Sequence, residues 1–168
     1  MFKIGDKIVY PMHGAGVIEN IETKEILGEK MDYYIMKMPI GEMKVMVPVK
    51  NVEEVGIRDV VDEAMLKEVV EKLKEGPSKM PQNWNRRYRL NNDRIKTGDI
   101  LEIAAVVRNL MILDMDKGLS TGEKKMLGSA TQMLYSEMVL ASDKTVEEVE
   151  KIVEDAVKEG YEPEEEEA

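Results

Sequence analysis

The sequence predicts an α+β protein of two domains, a small antiparallel β-barrel followed by a compact bundle of about five α-helices. Three observations carry this. Hydrophobic residues alternate with a period near two up to about residue 55 and recur every three or four residues from Asp59 onward. Glycine and proline cut the first part into short runs, as tight strand connections require. The second part holds longer apolar stripes that end at helix-stop and helix-cap residues.

In the first part, Lys7-Ile8-Val9-Tyr10 leads to a Pro-Met-His-Gly turn. Val17 to Thr23 follows, and plain alternation puts Val17, Glu19, Ile21 and Thr23 on one face and Ile18, Asn20 and Glu22 on the other. Leu27-Gly28-Glu29-Lys30 is a turn before the bulky run Tyr33 to Met38. Pro39-Ile40-Gly41-Glu42 turns into a last strand with Met43, Val45 and Val47 on one face and Lys44 and Met46 on the other. Short strands at near-regular spacing suggest a small barrel.

In the second part, Val61, Ala64, Met65, Val69 and Leu73 mark a helix ending near Gly76-Pro77. Trp84 to Ile95 is a second, closed by Thr97-Gly98. Ile100 to Met115 is a third, strongly apolar on one side. Ser120-Thr121-Gly122-Glu123 reads as a capping box opening a fourth, and Val146 to Val157 gives a fifth. The predicted division is 1–56, 57–160 and an acidic tail over 161–168.

The formal charge of −10 argues against nucleic acid only as an average. From Thr145 onward there are eleven acidic and two basic residues, a local charge of −9, so the rest of the chain carries about −1. Within that rest, Lys79 to Lys96 holds six basic residues and one acidic. No apolar run approaches the roughly 20 residues a membrane span needs. The first residues enter strand-like sequence at once, with no signal peptide, and a cytoplasmic location is expected. With no cysteine there is no disulfide or thiolate site.

An enzyme is not expected. His13 is the only histidine, which gives no support to a Ser-His-Asp triad or a multi-histidine metal site. Gly14-Ala15-Gly16 lacks the strand–loop–helix context of a phosphate-binding fingerprint. No cofactor or metal is implied. Most of the fourteen methionines fall at apolar-periodic positions and read as core, with Met46 an exception by its strand face.

The informative segment is Pro81-Gln82-Asn83-Trp84-Asn85-Arg86-Arg87-Tyr88-Arg89, with the sole tryptophan followed by three arginines in five residues. One reading anchors Trp84 in the core at a helix start, with arginines snorkelling around it. The other exposes it beside nucleic acid, as a wedge between base steps of a bent minor groove, with arginines on phosphates. The helix start at Ser120, with Lys124 and Lys125 just inside it, is a second phosphate seat, weakened by Glu123 in the same turn.

Taken in order, several fragments resemble the CarD family of bacterial transcription regulators, also called CarD/CdnL. They are Phe2 to Pro11 with His13-Gly14, Ile21-Glu22-Thr23, Gly28-Glu29, Val47-Pro48, Val55-Gly56-Ile57-Arg58, Asn83 to Tyr88, and Gly118 to Lys124. Together they cover nearly the whole chain. The resemblance implies a Tudor-like N-terminal domain that docks on the RNA polymerase β subunit. It also implies a helical DNA-binding domain at the upstream edge of the promoter bubble. There the tryptophan matching Trp84 wedges into the minor groove and stabilises the open complex. It places Arg86, Arg87, Arg89 and Lys124, with Lys125 beside it, on the DNA-facing surface. In the β-domain it assigns polymerase contact to Lys24, just after Ile-Glu-Thr, and to the strand ending in Val47-Pro48. The family often has a basic residue before that Val-Pro pair. Here Met46 stands there, with Lys44 on the same strand face to compensate. Such a protein acts as a monomer and meets the nucleoid through RNA polymerase.

Two other readings compete. In one, the β-domain docks on polymerase and the helical domain binds protein; loss of the Trp-x-Arg-Arg cluster would favour it, and the cluster is present. In the other, the small barrel itself binds nucleic acid. Residues 1–55 carry seven lysines against nine acidic residues, which disfavours that.

Overall fold

The computed structural model describes residues 1–161. Of the expected acidic tail only Tyr161 falls within this range, and its hydroxyl donates to Asp116; the remainder lies outside the described residues. The N-terminal part is a five-stranded antiparallel sheet of β1 (Lys7–Tyr10), β2 (Gly14–Ile26), β3 (Glu29–Lys37), β4 (Lys44–Pro48) and β5 (Arg58–Asp59), in the order β4-β3-β2-β1-β5. A short helical connection, the 3-10 turn Val49–Asn51 and α1 (Val52–Val55), carries the chain from one edge of this order to the other. Its Val49 and Val52, with Ile57, pack on the sheet core of Ile8, Ile18, Tyr34, Met36, Met38 and Val47.

The sheet runs past the expected boundary at 56/57. After α1 the left-handed Gly56 (φ 82°) reverses the chain, and Arg58 and Asp59 pair with Val9 and Ile8. A two-residue strand is too short to show a period in sequence. A second departure is in β2, where a bulge between Ile18 and Asn20 makes Glu19 the extra residue. Ile18 then pairs with Met36 and is fully buried, while Ile21 pairs with Tyr34 on the same face of the sheet but stays exposed beyond the core. Asn20, Glu22 and Lys24 are turned to the outer face, because one inserted residue flips everything after it.

The five expected helices are present as α2 (Glu63–Lys74), α3 (Trp84–Lys96), α4 (Ile100–Asp116), α5 (Thr121–Ser142) and α6 (Val146–Gly160). α4 is buried without a break from Ile103 to Leu110 and forms the centre of the bundle. α6 opens with a closed capping box between Thr145 and Glu148. At α5 only half of the expected box forms. Ser120 Oγ accepts the Glu123 N–H and donates to the Glu123 carboxylate (3.0 Å), whose main partner is the Arg87 guanidinium. No described helix is long and apolar enough to cross a membrane.

The sheet rests directly on α5. The Ala15 N–H donates to the buried Ser136 Oγ (2.9 Å), and Lys7 Nζ donates to the Leu140 carbonyl (2.9 Å). Gly14 makes this approach possible. It has φ 118°, and a Cβ there would stand 2.7 Å from Ser136 Oγ.

Candidate functional site

Trp84 is positioned by the segment before it. Gly76 turns the chain out of α2 with a left-handed backbone (φ 83°), Pro77 and Pro81 disfavour helix in the segment that follows, and Ser78 pins that segment to the bundle. The Ser78 N–H donates to Asn109 Oδ1 (3.0 Å), while its hydroxyl accepts from Asn109 Nδ2 (2.8 Å) and from the buried Arg108 (2.9 Å). Asn83 then caps α3, its Oδ1 accepting the N–H groups of Asn85 and Arg86 (3.0 and 3.2 Å). Trp84 is therefore the first helical residue on a fixed backbone, and it is 54% exposed. It continues the inward stripe of α3 (Ile95, Asn91, Arg87) by one step, but unlike Asn91 and Ile95 it is not covered by the bundle. Tyr88, one turn on, is also exposed and lies against Gly122 of α5.

The cations around this ridge are not equivalent. Arg86, Arg89, Lys124 and Lys125 are exposed, and among the described residues none of them is in an ion pair. At 100° per residue, Arg86 and Arg89 stand about 160° and 140° from Trp84 around α3. They flank its far side. On α5, Lys125 lies about 60° from Gly122, toward Tyr88, and Lys124 about 160° away.

Arg87 departs from the surface role that the sequence gives it. Its guanidinium forms a fork on Glu123, Nε and Nη2 at 2.7 and 2.8 Å, and the Glu123 side chain is only 1% exposed. The pair ties the first turn of α3 to the first turn of α5. Its place was readable by counting back from Ile95 in fours, through Asn91 to Arg87. The hydrogen bond from Arg87 holds the Glu123 carboxyl below the usual carboxylate range, against the opposing effect of burial, and Ser120 assists. A folded pKa below the unfolded one gives stabilisation that is complete above the unfolded carboxyl's titration and is lost as pH falls through the folded value. Wild-type melting temperature should thus fall more steeply in acid than that of Glu123→Gln; parallel melts across that range would contradict this.

The polymerase-contact candidates gather on the outer face of β2–β4. Ile35, nearly buried, is the floor, in register with Asn20 on one side and Met46 on the other. Lys44 reaches Glu19 (3.1 Å) and Lys24 approaches Glu22 (3.8 Å), around a shallow concavity of about 470 Å³. Met46 is exposed here and Pro48 is half-buried at the strand end. Val47 does not join this face. It points into the sheet core and is fully buried, so it shapes β4 from behind. His13 is exposed, its ring edge-on to Tyr10. Among the described residues no cluster of three or more His, Asp or Glu is placed to hold a metal.

Family models match almost end to end: the CarD-like/TRCF RID domain over residues 2–61 and the CarD C-terminal domain over residues 68–154. The chain belongs to the CarD family. Among its relatives is the putative transcription factor YdeB of Bacillus subtilis strain 168, 49% identical over 138 residues, covering 82% of this chain and 90% of YdeB. Among solved structures, the NMR structure of the 72-residue N-terminal domain of Myxococcus xanthus CarD is 32% identical. It covers 35% of this chain and 79% of that one, with a TM-score of 0.31. In this CarD protein the boundary between the two matched regions falls where the sheet gives way to α2.

Proposed function

We propose that this protein is a non-enzymatic regulator of transcription that holds the RNA polymerase β subunit with its sheet domain and promoter DNA with the α3–α5 end of its bundle. The docking face is Lys24, Lys44, Met46 and Pro48 around Ile35, with Val47 as support. The DNA contact is Trp84 at the upstream edge of the bubble, with Arg86, Arg89, Lys124 and Lys125 on neighbouring phosphates. Trp84 carries this reading: a large aromatic ring held out in solvent on a capped helix, with exposed cations on the far side of the same helix and at the start of α5. Such a ring is suited to enter an unstacked minor-groove step, and the cations fix register without reading sequence.

Regulation follows from differential affinity. If Trp84 enters only distorted DNA, binding shifts the equilibrium from closed to open complex. Docking on polymerase supplies position and raises the effective concentration of a weak DNA grip. The protein acts as a monomer in the cytoplasm, on the nucleoid through polymerase.

Two binding measurements test this. Lys24→Glu should weaken binding to isolated β subunit and leave DNA binding alone. In salt titrations of binding to a premelted promoter fragment, Arg86→Ala and Arg89→Ala should each lower the slope of log affinity by about 0.9. Arg87→Ala should instead lower the melting temperature. A wild-type affinity without salt dependence would reassign the helical domain to a protein partner.

A further inference from the structure

We propose that α5 is a rigid beam between the two grips, and that Arg58, Glu137, Arg87 and Glu123 are positioning residues that fix Trp84 relative to the docking face. The promoter consequence rests on the function proposed above; the geometric half does not.

Two arginine–carboxylate forks engage the same helix. Near its start, Glu123 holds Arg87 of α3. Fourteen residues on, Glu137 holds Arg58 of β5, with Nη1 and Nη2 at 2.7 and 2.8 Å. The separation is about 21 Å along the axis and within about 40° around it, so both forks close on nearly one side of α5. Glu137 is 3% exposed in its side chain and also accepts the Val61 N–H (2.9 Å), the backbone between sheet and bundle. Arg58 Nη2 further donates to the Gly98 carbonyl (3.0 Å), in the turn that ends α3.

α3 is thus tied at both ends, to α5 through Arg87 and to the sheet domain through Arg58. The Ser136 and Leu140 contacts add two further hydrogen bonds between the sheet and α5. A buried fork is a poor way to gain stability compared with apolar packing, but it accepts little other than one geometry. A fixed geometry makes the wedge selective. A Trp84 that swung freely would reach closed and open promoter alike, and only a differential contact shifts an equilibrium.

The chain has no cysteine, so spin labels at Lys37→Cys on β3 and Asp93→Cys on α3 report one distance by pulsed electron resonance in the full chain. The labelled parent should give a single narrow distribution. Glu137→Gln, which keeps an acceptor for Val61, and Arg58→Met combined with Glu137→Gln should broaden it, while circular dichroism shows both domains folded. In a promoter-opening assay the same variants, unlabelled, should lose at least about fivefold of the effect, the low end of coupling between sites. Binding to β subunit alone and to premelted DNA alone should not change. A broad distribution in the parent, or a narrow one in both variants, overturns the beam. Broadening without loss of opening overturns the positioning role. Failure of the functional reading would show separately, as a Trp84→Ala variant that opens promoters like wild type.

Discussion

Trp84→Ala should abolish most of the promoter-opening effect, shifting the opening equilibrium by about tenfold or more, which corresponds to ~1.4 kcal/mol. Its melting temperature should stay close to wild type. The indole is 54% exposed at the first position of α3, so its removal leaves no cavity, and the Asn83 cap and the Arg87–Glu123 fork are untouched. Trp84→Phe keeps a flat apolar ring and should retain part of the effect. Fluorescence from a probe near the melting region, read with saturating variant on polymerase, measures both. A large fall in melting temperature for Trp84→Ala would instead mark the residue as core.

Arg58→Ala should produce a large loss of stability for a charged-residue variant. It strands Glu137 in a site that is 3% exposed, facing only the Val61 N–H. Removing one partner of a buried ion pair costs about 3–5 kcal/mol, or roughly 6–20 °C in melting temperature for a chain of this size. Lys44→Ala makes the useful contrast. Its pair with Glu19 has a similar distance, 3.1 Å, but both side chains are more than a third exposed, and such surface pairs contribute about 0–1 kcal/mol. Differential scanning calorimetry of the two variants separates the cases. Equal shifts would mean that the Arg58 fork is not a buried clamp.

The helical half was legible because its period is local. Stripes such as Val69–Leu73 and Ile103–Leu110 show in the sequence within a few residues, and α2 to α6 begin and end close to where caps and glycines put them. The sheet was legible as strands but not in its faces. Nothing in Ile18-Glu19-Asn20 announces that Glu19 is extra, since a bulge is decided by the partner strand, here by Ile35 and Met36. The same holds for the charged residues turned inward. Arg87, Glu123, Arg58 and Glu137 have the composition of a solvated surface. Their pairing depends on partners 36 and 79 residues away, which no local pattern encodes, although the stripe of Ile95 and Asn91 does turn Arg87 inward. Of the DNA-facing candidates, sequence alone left Trp84 between core and surface. What decides it is whether another element covers the start of α3, a tertiary quantity.

One rigid protein that joins polymerase to melting DNA should favour the open state. The most direct measurement is the extent of promoter opening by a cognate bacterial polymerase, followed by a fluorophore in the melting region, with the protein absent and then saturating. Wild type should give a larger open fraction, lost in Trp84→Ala and in Lys24→Glu for different reasons, one failing to wedge and the other failing to dock. An open fraction that wild type leaves unchanged while bound to polymerase would contradict it.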